Sequence, residues 1–382
     1  MEPTLPLDQP VLNPHPRTVF THGGEGAGHQ AATHRVVAER IAALLGLPFG
    51  GACAAGAAAA SPYLVPRAPL CGPLTALRYG IEGEHDLLGS WVHEAWMATK
   101  AIVHPLVSAE AFAPAGWPHL LAGEALPLTL RGMTAFTATD ALAAGRALLQ
   151  SGPVRLKPAG ADGGRAQIVA RDAAELEAGI AALSVGGTLA DVVVVEEDLE
   201  DVTTYSVGQV RLPGPGGGCR TISYWGTQSL TSNNHGAPAY GGSSLFVVQG
   251  GFGALLARPM PPESREAVER AVAFDRLADR HLTGLIASRR NYDVAYGTGA
   301  DGKPRVGVLE QSWRVGGATP AEIAALEAFA RQPHLRAVRA RCVEIHGPFP
   351  FIPEGATIYY RDDDPEMGPM TKYACVDETI EG

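Results

Sequence analysis

The sequence lacks the features that would place the protein in a membrane or on a nucleic acid. Its 382 residues contain no run that approaches the ~18 uninterrupted apolar residues of a membrane-spanning helix. The 40 acidic residues outnumber the 30 basic ones, which leaves a formal net charge of −10. That balance is not the electrostatic footprint of a protein that binds nucleic acid or an anionic membrane. We therefore expect a folded protein with neither kind of partner.

Cysteine is also sparse. The five cysteines are scattered, and no two of them form a CxxC pair. An odd number without framework spacing argues against a disulfide scaffold and against a structural zinc site. The first 16 residues are rich in proline and lack the basic start and apolar core of a secretory signal. We therefore expect reduced thiols, a cytoplasmic location and a disordered lead-in over residues 1–16.

Two well-known catalytic motifs are missing as well. Residues 22–28 read HGGEGAG, but His29 and Gln30 follow where a P-loop needs Lys and then Ser or Thr. The same residues resemble the oxyanion loop of α/β-hydrolases, yet the chain has no GxSxG nucleophile elbow. Two interpretations stay open: a tight strand-to-helix turn, or a turn that lines a substrate pocket at a helix N-terminus.

Lysine is scarce, and two of the four lysines stand out. Lys100 and Lys157 belong to a chain whose other basic residues are almost all arginine, which a GC-rich coding bias would also explain. Lys157 ends the apolar run 154–157, and a glycine-rich turn leads from it to a second predicted strand, residues 167–170. A hairpin with such a tip can fold over a polyphosphate, because its amides donate to oxygens while the lysine supplies charge. Most such hairpins are only hairpins, and that alternative stays open.

Acidic residues follow the next predicted strand. Residues 191–197 form a valine-rich run typical of a strand buried on both faces, and the run continues into Glu-Glu-Asp-Leu-Glu at 196–200. Backbone and carboxylates there could contact an adenine edge and ribose hydroxyls. The alternative is an ordinary solvated strand end.

A third cluster lies in two later apolar runs, residues 285–296 and 305–311. If these runs pair as antiparallel strands, Asp293 and Glu310 lie near each other. Two carboxylates together with phosphate oxygens form the hard-oxygen ligand set that Mg²⁺ prefers. Arg314 could then neutralise phosphate charge. The alternative is a salt-bridge network that joins these residues with Arg289 and Arg290.

Substrate contacts are harder to predict. Arg289 and Arg290 could hold a carboxylate or a phosphate, or they could be surface arginines. The polar loops at 233–235 and 240–243 could close on an acceptor with His235 as general base, or they could be ordinary turns. Helices are predicted over 263–282 and from the Thr319-Pro320 start, strands over 204–212, 221–230 and 245–249, and an acidic, mobile tail after Asp362.

The order of these features resembles that of the ATP-grasp superfamily. The features are the two lysines, the glycine hairpin, the acidic residues 196–200 (here called the hinge), Asp293, and Glu310 followed by Arg314. The chain also resembles an uncharacterised bacterial family within that superfamily. Such enzymes hold ATP between two α+β subdomains and usually join a carboxylate to an amine through an acyl-phosphate. The resemblance spans residues 100–314. It implies an α/β and α+β chain in which an N-terminal Rossmann-like domain (17–127, after the lead-in) precedes a lid subdomain (128–200) and a C-terminal subdomain (201–382).

Carried over position by position, the resemblance implies ATP and Mg²⁺ as cofactors and small-molecule carboxylate and amine substrates. Homodimers are common among such enzymes. Ser312 stands where the family normally has Asn, which replaces an amide oxygen with a hydroxyl. The implied site residues are Lys100 and Lys157 at the ATP phosphates, Gly160, Gly163 and Gly164 at the lid tip, Glu197 and Leu199 at the adenine, Glu200 at the ribose, Asp293, Glu310 and Ser312 at magnesium, and Arg314 and Arg290 in catalysis.

Three functions are compatible with this set. The first is an ATP-dependent carboxylate–amine ligase. The second keeps the fold but phosphorylates a small metabolite, with Arg289 and Arg290 gripping an anion. The third, suggested by Ser312, is a degenerate ATP-binding scaffold or sensor without turnover.

Overall fold

The structure is a computed structural model that describes residues 17–24, 26–53, 62–161, 166–184 and 192–381. The predicted lead-in and two of the predicted lid glycines, Gly163 and Gly164, lie outside these residues. Within them, no helix is both long and apolar enough to cross a membrane.

The helices of the described residues are α1 (His29–Leu45), α2 (Pro73–Tyr79), α3 (His119–Ala125), α4 (Ala138–Leu149), α5 (Ala173–Ser184), α6 (Phe252–Leu256), α7 (Pro262–His281) and α8 (Thr319–Arg331). The strands are β1 (Val19–His22), β2 (Phe49–Ala52), β3 (Tyr63–Pro66), β4 (Leu70–Cys71), β5 (Ser90–Val92), β6 (Gly132–Ala135), β7 (Val154–Pro158), β8 (Ile168–Ala170), β9 (Val193–Glu197), β10 (Glu200–Pro213), β11 (Cys219–Ser232), β12 (Pro238–Gln249), β13 (Ile286–Ala287), β14 (Arg289–Thr298), β15 (Pro304–Ser312), β16 (Leu335–His346), β17 (Thr357–Asp364) and β18 (Gly368–Glu381).

The N-terminal part begins as the sequence predicts, with a strand, a glycine turn and a helix. β1 pairs in parallel with β2 and β3. The apolar face of α1, with Val37 and Ile41 at its centre, is fully buried, and the helix stops where Gly46 adopts a left-handed conformation. The HGGEGAG turn ends at Gly28, and Asp364 from the far end of the chain accepts the first helical N–H, that of His29, at 2.6 Å.

A four-stranded antiparallel sheet, here called the small sheet, has the order β6-β9-β7-β8. α4 and α5 cover one of its faces, where valines and leucines of β7 and β9 form a core. The predicted hairpin is confirmed, since Val154 pairs with Ala170 and Leu156 with Ile168. β9 is buried along its whole length, as its run of valines indicates.

An eight-stranded antiparallel sheet, the large sheet, has the order β15-β14-β10-β11-β12-β16-β18-β17. α6 and α7 pack on one face and α1 and α8 on the other, each over its own apolar core. A separate three-stranded sheet has the order β13-β5-β4. The helices predicted at 263–282 and from Thr319 correspond to α7 and α8.

The prediction of a mobile tail after Asp362 is wrong. β18 is a 14-residue strand that lies between β16 and β17 in the large sheet. The acidic side chains of its last residues are exposed, but Met370, Ala374 and Cys375 are buried. Charge at the exposed positions concealed the apolar residues that hold the strand.

Candidate active site

The centre of the site is one pair of neighbouring strands. β14 and β15 pair antiparallel with Asp293 opposite Glu310 and Asn291 opposite Ser312. Residues directly opposite each other point to the same face of a sheet, so these four side chains share one face. The predicted proximity of Asp293 and Glu310 follows from this register.

The ionised form of Asp293 is disfavoured in this site. Burial and the adjacent Glu310 raise the pKa of Asp293 to about 6, although side-chain hydrogen bonds from Gln228 and Asn291 act in the opposite direction. The Nζ atom of Lys100 lies 2.9 Å from Glu310 Oε2. Lys100 thus pairs with Glu310, whereas the side-chain hydrogen-bond partners of Asp293 are neutral amides.

Lys100 connects the small sheet to the large one. It begins a short 3₁₀ helix, Lys100–Val103, which Thr99 caps by accepting the Ala101 N–H. The ammonium is buried and donates both to Glu310 and to the backbone carbonyl of Ala161, next to the tip of the β7–β8 hairpin. Gly160, beside it, is exposed, and nothing lies within 4 Å of the position that a Cβ would take.

Lys157 forms a second lysine–carboxylate cluster in the small sheet. Its ammonium contacts Glu196, whose other oxygen lies 3.2 Å from His104 Nε2. Burial would raise the pKa of Glu196, but Lys157 and His104 outweigh it and lower the pKa to about 2. All three side chains are buried. Sequence reasoning missed Glu196 because it did not apply strand alternation to the Glu196-Glu197 pair.

The other hinge residues point elsewhere. Glu197 accepts the backbone N–H of Arg131 at 2.9 Å and its guanidinium at 2.7 Å, and it lies 3.5 Å from Arg305. Leu199 is buried in a small apolar cluster with Leu130 and Ala295. Glu200 is exposed at the start of β10. Within residues 196–200, Leu199 thus adjoins the strand pair, whereas the Glu197 side chain turns away from both lysines.

Two predicted arginines are held by carboxylates. Arg289 binds Glu322 through Nε at 2.9 Å and Nη2 at 2.7 Å, and it also donates to the Ser312 carbonyl at 3.0 Å. Arg290 binds Asp275 at 3.0 Å and Asp279 at 2.6 Å, both on α7.

Arg289 and Arg290 therefore belong to salt bridges, which is the alternative to a role in binding a substrate anion. Because neighbouring residues of a strand face opposite ways, Arg290 lies on the other side of the sheet from Asp293, and the structure does not bring it to the carboxylate pair. Arg314 follows β15, is half-buried and donates to the Val315 carbonyl at 3.0 Å.

A buried hydrogen-bond chain fixes Asp293. The Tyr224 hydroxyl lies 2.5 Å from Glu322 Oε1 and 2.9 Å from Asn291 Oδ1, and Asn291 Nδ2 donates to Asp293 Oδ1 at 2.9 Å. Residues 289, 291 and 293 alternate along one strand and therefore face the same side of the sheet. This alternation could have identified Asn291 as a neighbour of Asp293 from the sequence. No sequence signal points to Tyr224, because it comes from β11, two strands away in the sheet.

The donor chemistry fits a magnesium ion. Asp293, Glu310, Ser312 and Asn291 offer only oxygen donors from one sheet face, and Mg²⁺ is usually held by one or two carboxylates with water and phosphate as its other ligands. Among the residues that the structure describes, no group of three His, Cys, Asp or Glu side chains forms a complete cage. The arrangement is therefore suited to a metal that arrives with a phosphate-bearing ligand.

The predicted polar loops meet the C-terminal hairpin. Asn234 Nδ2 donates to the Pro369 carbonyl at 2.9 Å, and His235 Nε2 lies 3.4 Å from the Glu366 carbonyl. The Tyr240 hydroxyl lies 2.6 Å from Ser243 Oγ. The Asn234 and His235 contacts join the β11–β12 turn to the β17–β18 hairpin, at the sheet end where Asp364 caps α1. The loop at 233–235 thus has a structural role.

Known structures with similar folds share little sequence with this chain. The biotin carboxylase domain of Hydrogenobacter thermophilus 2-oxoglutarate carboxylase, solved as a dimer with MgADP, ADP and bicarbonate, gives a TM-score of 0.53 at 14% identity, covering 94% of this chain and 86% of that one. Campylobacter jejuni biotin carboxylase, in a beta-gamma-ATP complex, gives 0.51 at 10% identity, covering 95% and 87%. Rhizobium etli pyruvate carboxylase gives 0.50 at 12% identity, covering 94% of this chain but 36% of that one.

Fold and comparisons together define the class: the chain has the mixed α/β fold of the ATP-grasp proteins, as the motif order predicts. A search of the curated proteins gives no match. Residues 19–374 match the family described as "Protein of unknown function (DUF3182)", and the chain belongs to that family.

Proposed function

We propose that this protein is an ATP-dependent ligase that joins a carboxylate to an amine or a similar nucleophile. The main support is the position of Lys100, which contacts both Glu310 on the large sheet and Ala161 on the small-sheet hairpin. A cation at this junction, beside two carboxylates suited to Mg²⁺, is what a polyphosphate bound between the two sheets requires. The biotin carboxylase structures, solved with MgADP, ADP or an ATP ligand, have a similar fold, which supports nucleotide binding by this chain.

In this proposal the chain holds Mg·ATP with residues from both sheets. Asp293, Glu310 and Ser312 bind the metal, and Asn291 orients Asp293. Lys100 and Lys157 bind phosphate oxygens. Each ammonium then contacts both a phosphate oxygen and its carboxylate partner, Glu310 or Glu196. The glycine tip covers the phosphates, and Leu199 with its apolar neighbours packs against the base while Glu197 and Glu200 flank the hinge.

Bound Mg·ATP would supply the phosphoryl group that activates the substrate carboxylate. The chain's own contribution is charge placed before the reaction: ammonium groups and Arg314 face the transferring group. Charge that is already oriented costs no reorganisation when the transition state forms. Because Arg290 lies on the other sheet face, the proposal gives it no part in catalysis.

The kinase alternative loses its specific support. It relied on Arg289 and Arg290 to grip a substrate anion, and both guanidinium groups are buried against carboxylates. The scaffold alternative relied on Ser312 and is separated from the ligase by turnover alone.

The test measures thermal stability with and without Mg·ATP, followed by product analysis. A ligand at about 100 times its Kd stabilises the folded state by about 2.7 kcal/mol. We expect that gain in the wild type and in Lys303→Met, a control at an exposed turn lysine. We expect Glu310→Gln to lose the part of the gain that requires magnesium.

Product analysis then separates the functions. Release of ADP and phosphate that depends on a carboxylate and an amine supports the ligase, and a phosphorylated metabolite would instead support the kinase. No gain in any variant would overturn the nucleotide site. A gain without turnover over a broad pool of carboxylates and amines would favour the scaffold.

A further inference from the structure

Behind the hinge, away from the lysine–carboxylate clusters, lies a cavity of about 290 Å³. Its floor is the cross-strand pair Tyr296 and Val306, which pack with α7 on the sheet face opposite Asp293. Glu197, predicted at the adenine, lines this cavity instead. The cavity therefore belongs to neither the metal pair nor the lysines.

Three arginines line the wall of this cavity. Arg131, Arg270 and Arg305 line it together with only two acidic residues, Glu197 and Glu266. Arg305 also pairs with Asp301 at 2.9 Å and lies 3.5 Å from Glu197, so each arginine has a carboxylate partner and the wall carries no excess charge. Each guanidinium has five N–H donors in a fixed fork. Arg131 uses Nε and Nη2 on Glu197, and Arg270 donates to Glu266 at 2.8 Å and to the Pro127 carbonyl at 2.7 Å. Each of these two arginines keeps at least one N–H beyond these contacts.

A buried hydroxyl is the second observation. Thr129 also lines the cavity and is 7% exposed. Its Oγ1 is buried, and the described residues offer it no hydrogen-bond partner. Buried side-chain hydroxyls in folded proteins nearly always have a partner, and a group bound in the cavity can supply one when the Thr129 side chain turns towards it.

From the arginines and this hydroxyl we infer that the cavity binds a small oxyanion, a metabolite that bears a phosphate or a carboxylate group. Arg270 and Arg305 donate to its oxygens and Thr129 adds a hydroxyl. Arginine suits this role because its planar fork matches the geometry of both oxyanions.

The site also spans the hinge. Arg131 and Glu197 belong to the small sheet and its approach, whereas Arg270 and Arg305 belong to α7 and the large sheet. An anion held between them fixes the relative position of the two sheets, and it therefore changes the affinity for ATP. This coupling rests on the proposed function, but the anion site itself does not.

The experiment uses the full chain without nucleotide, at constant ionic strength, with inorganic phosphate and succinate as the two probes. Calorimetric titration should show saturable binding of at least one of them in the wild type. Arg270→Gln should weaken that binding at least tenfold. Arg280→Gln is the matched control, because this arginine is on the same helix but pairs with Glu124 at an exposed position. It should bind the probe as the wild type does.

A second variant separates the hydroxyl from the packing. Thr129→Val keeps the shape and removes the unpaired polar atom, so we expect a higher melting temperature without probe and weaker probe binding. The preferred probe identifies the class, phosphate-bearing or carboxylate-bearing. Absence of saturable binding by both probes, or equal affinity in Arg270→Gln and the wild type, would overturn the site.

The coupling has its own readout. If the bound probe changes the affinity for ATP by a certain factor, bound ATP must change the affinity for the probe by the same factor. Probe binding without any ATP binding would leave the anion site standing and overturn the proposed function. If both ligands bind with no mutual effect, the coupling is wrong and the two sites are independent.

Discussion

The two lysine–carboxylate clusters differ in charge balance and in what surrounds them. Lys157 and Glu196 form a buried pair: their side chains are 4% and 2% exposed, and His104 supplies a further donor. Lys100 faces Glu310, which is 24% exposed, and behind Glu310 lies a second carboxylate, Asp293. In the first cluster the pKa of the glutamate falls, and in the second the pKa of the aspartate rises.

The difference shows which cluster has a place for another cation. Lys157 and His104 supply the positive charge that lowers the pKa of Glu196, whereas burial and Glu310 raise the pKa of Asp293, so an added cation would stabilise the carboxylates of the strand pair more. The strand pair therefore offers the metal position, and the small-sheet cluster offers a lysine held in place for a phosphate. Removing charges from one cluster and then from the other tests this contrast.

The largest effect is expected from Lys157→Met. Loss of the ammonium leaves the buried Glu196 without its main partner, and breaking a buried ion pair in this way costs about 3–5 kcal/mol. Urea unfolding measures the loss. Lys303→Met should stay within about 0.5 kcal/mol of the wild type, because its side chain is exposed.

The double variant Lys157→Met/Glu196→Gln should recover part of the lost stability, since no carboxylate remains to be neutralised. If the single variant costs less than about 1 kcal/mol, the cluster is more hydrated than this structure indicates.

Acid titration tests the same cluster with a smaller perturbation. The pKa of Glu196 is about 2 in the folded state, against 4.5 for an ordinary glutamate. A lowered pKa contributes stability that is complete above the unfolded value and is lost as pH falls towards the folded value. Unfolding free energy should therefore decline between pH 4.5 and 2, and Glu196→Gln should flatten that decline. An unchanged slope in the variant would contradict the assignment.

The sequence was sufficient for the features that depend on local spacing. The hairpin after Lys157, the β14–β15 strand pair and α7 follow from apolar runs, glycine turns and helix starts within a few residues of one another. Charge at exposed positions misled the prediction for residues 368–381. The strand there is held by pairing with β16, more than 20 residues earlier in the chain.

The site shows the same division. The cross-strand partners Asp293 and Glu310 could be predicted because one turn separates their strands. The orientation of adjacent residues required the strand register: Glu196 faces Lys157 while Glu197 faces Arg131, and Arg290 faces α7 while Arg289 faces Glu322. Side-chain direction depends on which strands are neighbours, and this chain places distant segments side by side.

Asp293→Asn should have the smallest effect on stability and the opposite sign. At neutral pH the ionised Asp293 is unfavourable, because burial and Glu310 raise its pKa to about 6. An amide of the same shape removes that charge. In buffer with EDTA, we therefore expect the unfolding free energy to rise by on the order of 1–2 kcal/mol.

Asp301→Asn is the matched control for Asp293→Asn, since this exposed aspartate has a pKa lowered by its hydrogen bond to Arg305 and should gain nothing from neutralisation. With Mg·ATP the order should reverse. The wild type gains stability through the metal, whereas Asp293→Asn gains only what nucleotide alone provides, because an amide oxygen is a weaker magnesium ligand than a carboxylate. A variant that is less stable than the wild type in EDTA would show that Asp293 is already paired with a cation, and the two clusters would then be equivalent in charge.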